Sequence, residues 1–175
     1  TATVNCGASS FRIPGLPAED FPALPLTAEG EGIVVSQQGL KTLITRTSHA
    51  MSVEETRFIL NGSLFATQKN DLVVVATDGR RLAVAHAALS QPAKQPLRAI
   101  IPAKTVRELG RLLQQDDGEE VAITPLKDNQ VAFRFGLVSM VTRLIEGEFP
   151  QFEKVIPPPS KQTFSCDRQP LMNAV

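Results

Sequence analysis

Hydrophobic positions recur along this chain with two different periods. At Leu40, Leu43, Ile44 and Thr47 the spacing is helical, with Lys41, Thr42, Thr45 and Arg46 on the intervening positions. This predicts an amphipathic helix over residues 39–48, with Ser36 placed to cap its start. The pattern returns after Pro102, where Val106, Leu109 and Leu113 form the apolar face and Lys104, Arg107, Glu108 and Arg111 lie opposite. Pro102 suits the first helical position, because its missing N–H would have no helical partner there. Around the first helix, apolar runs predict strands at 33–35, 57–67, 72–77 and 81–86; around the second, at 98–101, 120–123, 130–135 and 137–145. Val131, Phe133 and Phe135 alternate as on a half-buried strand. Strand–helix–three strands thus occurs twice, with Lys41 and Lys104 at equivalent places. The expectation is an α+β fold in which two helices pack on one side of a mainly antiparallel sheet.

Turn and breaker residues divide the rest. Asp78-Gly79 between two apolar runs is a strong hairpin signal, since glycine takes the positive φ of such a turn at little cost. Asn61-Gly62 carries the same signal. Pro14, Pro17, Pro22 and Pro25 make the first 28 residues read as a strand end followed by an extended linker, and Glu29-Gly30-Glu31-Gly32 as a polar boundary. Pro157-Pro158-Pro159 cannot join a helix interior or a central strand and marks a second boundary. The tail from Thr163 to Met172 reads as a strand leading into a new helix.

Composition bounds the function classes. Of 175 residues, 42% are hydrophobic, which fits a packed chain rather than a disordered one. The 18 basic residues balance the 18 acidic ones, so nucleic-acid binding would need a local basic face. Cys6 and Cys166 are too few and too far apart for a disulfide framework or a zinc site and read as free thiols in a reducing cytosol. No apolar run approaches the roughly 20 residues of a membrane span. The chain starts on Thr1, without an initiator Met, and stops on Val175, and is read as a piece of a longer protein.

Two features carry candidate chemistry. Lys104, Arg107 and Arg111 form a cationic stripe opposite an apolar face, and Lys41 and Arg46 hold the matching side of the first helix. The stripe reads either as a solvated surface or as a face for phosphates. No base-reading pattern accompanies it. Asp78 reads either as a turn residue or as a lone carboxylate for metal or phosphoryl chemistry, though no second carboxylate stands at ligand spacing. His49 and His86 have no nucleophile near them in sequence, Asn61-Gly62-Ser63 fits a glycosylation acceptor, and no nucleotide-binding or hydrolase motif occurs.

Several short runs resemble, in order, those of one family. Phe21-Pro22-Ala23-Leu24-Pro25 is similar to an FP-x-LP junction, Arg57 to Gly62 to R-(aromatic)-x-LNG, and Ala76 to Ala83 to ATDG-x-RLA. Leu144 to Pro150 is similar to L-I-(D/E)-G-x-FP, and Ile156-Pro157 to the end of V-I-P. Together they resemble the bacterial DNA polymerase III beta subunit, the sliding clamp family. The resemblance implies that residues 29–158 are a complete middle domain, 1–28 the end of a first domain with its linker, and 159–175 the start of a third. It implies the DNA clamp fold, in which two three-domain subunits close head to tail around duplex DNA with helices lining the bore. Lys41, Arg46, Lys104, Arg107 and Arg111 would then face DNA. An outer groove for short peptide motifs would be lined by Leu60, Thr77, Gly79, Arg80, Arg81 and Leu82, with Pro150, Lys154 and Val155 opposite. Arg80 stands where the family often has histidine. The implied partners are duplex DNA, the polymerase III alpha subunit, the clamp loader and a second copy of the chain, in the bacterial cytoplasm. No catalytic residue, metal, cofactor or membrane is implied. The competing readings are a stand-alone peptide-binding adaptor and a small hydrolase using Asp78.

Overall fold

A computed structural model describes residues 1–20, 32–114 and 118–175 of the chain. The expected FP-x-LP junction and most of the polar boundary at 29–32 lie outside the described residues. Near the start, β1 (Ala2–Cys6) and β2 (Ser9–Ile13) form an antiparallel hairpin, with every residue of both strands exposed. The proline-based reading of this segment missed the hairpin. A short 3-10 turn, Ala18–Asp20, follows.

The first repeat runs β3 (Ile33–Ser36), α1 (Gln37–Thr47), β4 (Gly62–Gln68), β5 (Asp71–Thr77) and β6 (Leu82–Ala88). The second runs β7 (Arg98–Pro102), α2 (Ala103–Leu112), β8 (Glu120–Leu126), β9 (Gln130–Phe135) and β10 (Val138–Arg143). Ser36 caps α1 as expected, its Oγ accepting from the Gly39 N–H at 3.1 Å. Pro102 stays in the strand and occupies the cap position of α2, one residue before the expected place.

The twofold pattern and the antiparallel pairing match the expectation, but the sheet is divided. It forms two four-stranded sheets, β10-β9-β8-β3 and β6-β5-β4-β7, so each repeat gives its first strand to the other's sheet. The sheets abut at both edges. Ser90 donates to the Val34 carbonyl at 2.8 Å, and Ile145 donates to that of Ile100 at 3.0 Å.

The chain from 57 to 61 is not strand. Residues Glu55–Leu60 wind as 3-10 turns, and Asn61-Gly62 makes neither a hairpin nor a continuous strand. Packing decides this. The Asn61 carbonyl accepts from the Ala103 N–H at 2.8 Å, tying it to the start of α2. A Cβ on Gly62 would stand 2.3 Å from the Ile101 carbonyl oxygen, so only glycine lets β4 lie this close to β7.

Strands β4 and β5 are buried on both faces. Phe65, Leu72, Val74 and Ala76 meet Leu40, Leu43, Ile44, Val106, Leu109 and Leu113 of the helices and their flanks in the main core. The alternate residues Leu64, Val73 and Val75 point the other way, into a second cluster with Ile100, Phe149 and Phe152. Phe65 of the first repeat meets Phe133 of the second edge to face, ring centres 6.2 Å apart. Beyond the core, Thr163 to Cys166 does not form the expected strand; α3 (Arg168–Ala174) does form but buries no residue. Cys6 and Cys166 are exposed free thiols. Among the described residues no helix is long and apolar enough to cross a membrane.

The Asp78-Gly79 hairpin forms, pairing Thr77 with Leu82 across a four-residue loop in which Gly79 has φ +86°. Asp78 organises that loop. Its Oδ1 accepts from the Arg80 and Arg81 N–H groups at 2.9 and 3.0 Å, and its Oδ2 from Arg81 Nε at 3.0 Å. Arg57 donates to the Asp78 carbonyl at 2.9 Å, and Thr77 Oγ1 donates to the Arg81 carbonyl at 2.7 Å.

Two outcomes follow from this packing. Phe65 is fully buried at the contact between the repeats, so Phe65→Ala is expected to cost about 3–5 kcal/mol, read as a lowered urea midpoint. The two backbone N–H bonds, and then the Arg81 side chain, hold the Asp78 carboxyl down at about 2 from its ordinary 3.8. Since the folded value lies below the unfolded one, the ionised turn stabilises the fold fully above pH 3.8 and loses that contribution as pH falls from 3.8 towards 2. A carboxyl titration followed by NMR should place the Asp78 midpoint near 2, and a midpoint near 3.8 would show that the turn bonds do not form in solution.

Candidate functional site

On the face of β4 and β5 turned away from the helices, the second apolar cluster is covered only in part. The chain after β10 crosses this face, burying Phe149 and Phe152, and turns through a 3-10 segment at Phe152–Val155. Between that segment and the β5–β6 turn lies an open groove of about 610 Å³. Leu60, Thr77, Gly79, Arg80, Arg81 and Leu82 line one side, with Pro150 and Val155 opposite. All eight were singled out from sequence and are brought together here. Lys154, grouped with them there, is not part of the lining; it lies on the same 3-10 segment and is exposed.

The groove also has walls that the motifs did not name: Val84, Gln151, Phe152, Ile156 and Pro157. Two of these were within reach of sequence reasoning. Val84 follows Leu82 at the two-residue period of a strand, and Ile156 continues the apolar pair begun by Val155. Phe152 was not, because its place depends on how the 145–157 segment crosses the sheet. Val155 and Ile156 are 69% and 50% exposed, unusual for branched aliphatic side chains unless something covers them.

Polar bonding fixes the groove's turn end. A Cβ on Gly79 would stand 2.6 Å from the Arg57 guanidinium, so glycine both permits the positive φ and makes room for Arg57. Arg57 was quoted in a motif but assigned no role; its contact with the Asp78 carbonyl holds the 3-10 segment carrying Leu60 against the turn carrying Leu82. Both Asp78 oxygens accept bonds within the turn. Among the described residues no group of three or more His, Cys, Asp or Glu side chains is placed to hold a metal ion.

The cationic residues divide into distinct cases. Arg46, Lys104, Arg107 and Arg111 are exposed on the polar faces of α1 and α2. Lys41 is only half exposed, its Nζ donating to the Leu113 carbonyl at 2.5 Å. It ties α1 to the C-terminal end of α2, where a cation suits the helix dipole, and this bond to a neutral carbonyl leaves its charge in place. Arg111 pairs with Glu108 one turn earlier, and that guanidinium lowers the Glu108 carboxyl below its ordinary value. Sequence spacing showed the stripe but not these partners.

The central-domain profile of the DNA polymerase III beta subunit family matches residues 34–151. The beta sliding clamp of Pseudomonas aeruginosa is 37% identical over 174 residues, covering 98% of this chain and 46% of the relative. That of Bacillus subtilis is 32% identical over 172 residues, covering 98% and 45%. The chain thus spans about half the length of the curated relatives it matches. Among solved structures, a sliding clamp from Pseudomonas aeruginosa bound to griselimycin superposes with a TM-score of 0.80 at 36% identity, covering 98% of this chain and 46% of that one. A sliding clamp from Bacillus subtilis superposes with a TM-score of 0.77 at 34% identity, covering 91% and 41%. On the fold, the profile and these likenesses, the chain belongs to the DNA polymerase III beta subunit family and carries the family's central domain.

Proposed function

We propose that this chain is the middle part of a bacterial sliding clamp: a non-catalytic subunit that tethers a replicative polymerase to duplex DNA and docks partner proteins in the outer groove. In this reading residues 29–158 are the complete middle domain, 1–28 the end of the first domain and its linker, and 159–175 the start of the third. Full-length subunits close as a homodimeric ring in the bacterial cytoplasm, and the polymerase III alpha subunit and the clamp loader are the expected groove partners.

One observation carries the proposal. The apolar groove and the helices that carry Arg46 and Lys104 lie on opposite sides of the same strands, β4 and β5. A ring subunit needs this separation, since one face meets phosphates while the other stays open to proteins. Arg46, Lys104 and Arg107 supply positive charge, and the sequence around them carries no base-reading pattern, which suits sliding on any sequence. The exposed hairpin β1–β2 and helix α3 leave Phe11, Ile13, Leu171 and Met172 more than half exposed, which is consistent with neighbouring domains that bury them. A hydrolase built on Asp78 is disfavoured because its oxygens already accept bonds from Arg80 and Arg81. A stand-alone adaptor would give Arg46 and Lys104 no role.

Two measurements test this on the full-length protein. Leu82→Asp puts a charge into the apolar groove and is expected to weaken a fluorescent Gln-x-x-Leu-Phe peptide by about tenfold or more in polarisation. Unchanged affinity would remove the groove from the mechanism. Reversing Lys104, Arg107 and Arg111 to glutamate should shorten retention on circular DNA and flatten the slope of log K against log salt. The change is expected to be about 2, short of the full three-cation value because Arg111 is already paired. Retention indistinguishable from the unaltered protein would favour the adaptor.

A further inference from the structure

Across the β5–β6 turn from the groove lies a second hollow, of about 370 Å³. Arg80 and Arg81 line both spaces. On its far side stand His49, just beyond α1, and Arg107 of α2. Its two carboxylates are already engaged. Asp78 holds Arg81 at 3.0 Å, and Glu54 lies 3.5 Å from Arg57. Among the described residues, neither the Arg80 nor the Arg107 side chain has an anionic partner. The hollow therefore presents two uncompensated guanidinium groups, directly beside an apolar groove whose walls carry no acidic residue.

We infer that this hollow is a carboxylate subsite of the groove: a peptide anchored by its apolar side chains in the groove places an Asp or Glu between Arg80 and Arg107. The inference rests on reading the groove as a peptide-docking site. The two spaces share Arg80 and Arg81, so an acid a few residues from the anchor of an extended peptide, at about 3.3 Å per residue, reaches the hollow. Guanidinium groups suit this ligand because their forked N–H donors match a carboxylate bidentately. A run of phosphodiesters suits it less, because only two guanidinium groups without an anionic partner stand here, and a polyanion follows a longer run of cations. Arg80 is the deciding residue. With histidine there, the fixed positive charge at the turn would be lost at neutral pH.

The test uses full-length protein and labelled peptides carrying the Gln-x-x-Leu-Phe anchor, with Asp-Asp or its uncharged counterpart Asn-Asn on one end or the other. In low salt the Asp-Asp peptide is expected to bind about 3–10-fold more tightly than Asn-Asn at one of the two ends. The ratio should shrink in Arg80→Gln and in Arg107→Gln, reach about 1 in the double variant, and collapse for the unaltered protein in 0.5 M salt. If Asn-Asn peptides bind but the ratio is near 1 at both ends, the subsite is overturned while the groove stands. If no anchored peptide binds, the groove reading itself fails and takes the subsite with it. If a labelled single-stranded oligothymidine binds and is lost in the double variant while the peptide ratio stays near 1, the hollow belongs to nucleic acid and the inference is overturned.

Discussion

The two-sided burial of β4 and β5 is the constraint on which the rest of this structure depends. A strand buried on both faces needs a cover on each, and the chain supplies covers of different kinds. On one side α1 and α2 press Leu40, Leu43, Val106 and Leu109 onto Phe65, Leu72 and Val74. On the other, only Phe149, Phe152 and the segment around them lie on Leu64, Val73 and Val75. The helix cover is complete, and the second one stops short. The uncovered margin between Leu82 and Val155 is the groove, so the groove follows from covering a sheet with one short irregular segment instead of a helix.

The exchange of first strands makes this arrangement rigid. Because β3 pairs with β8 and β7 pairs with β4, neither repeat can complete its sheet without the other. The Phe65–Phe133 contact and the Lys41 bond to the end of α2 add side-chain ties across the same boundary. The helix faces are therefore held in fixed relation to each other. In the proposed reading, a phosphate-facing surface built from two separate helices gains from that fixed relation, since its charges are positioned before any ligand arrives.

Charge pairing then sorts the cations by role. Lys41 and Arg57 are spent on structure, one at a helix end and one on a turn carbonyl. Arg81 and Arg111 are partly neutralised by near neighbours. Among the described residues Arg46, Lys104, Arg107 and Arg80 form no ion pair, though Lys104 helps Arg111 lower the Glu108 carboxyl. Arg107 and Arg80 come from different elements, yet they face one hollow, which links the helix side of the sheet to its groove side around the strand ends.

Local chemistry alone settled much of this protein. The 3.6-residue period of α1 and α2, the Ser36 cap, the alternation in β9 and the Asp78-Gly79 turn all depend on contacts within a few residues, so they were legible in the chain itself. The ordered motifs also marked eight of the groove's residues. What the tertiary structure decided were the pairings between distant segments: two sheets instead of one, the exchanged strands, 3-10 turns in place of strand at 57–60, and the crossing that puts Phe152 beneath the groove. It also decided the partners of the cations, bonding Lys41 to the end of α2 and leaving Lys154 out of the groove lining. The physical reason is the same throughout. Periodicity records which face of an element is buried, but not what buries it, because the partner of a buried face or of a charge is chosen by packing between residues far apart in sequence.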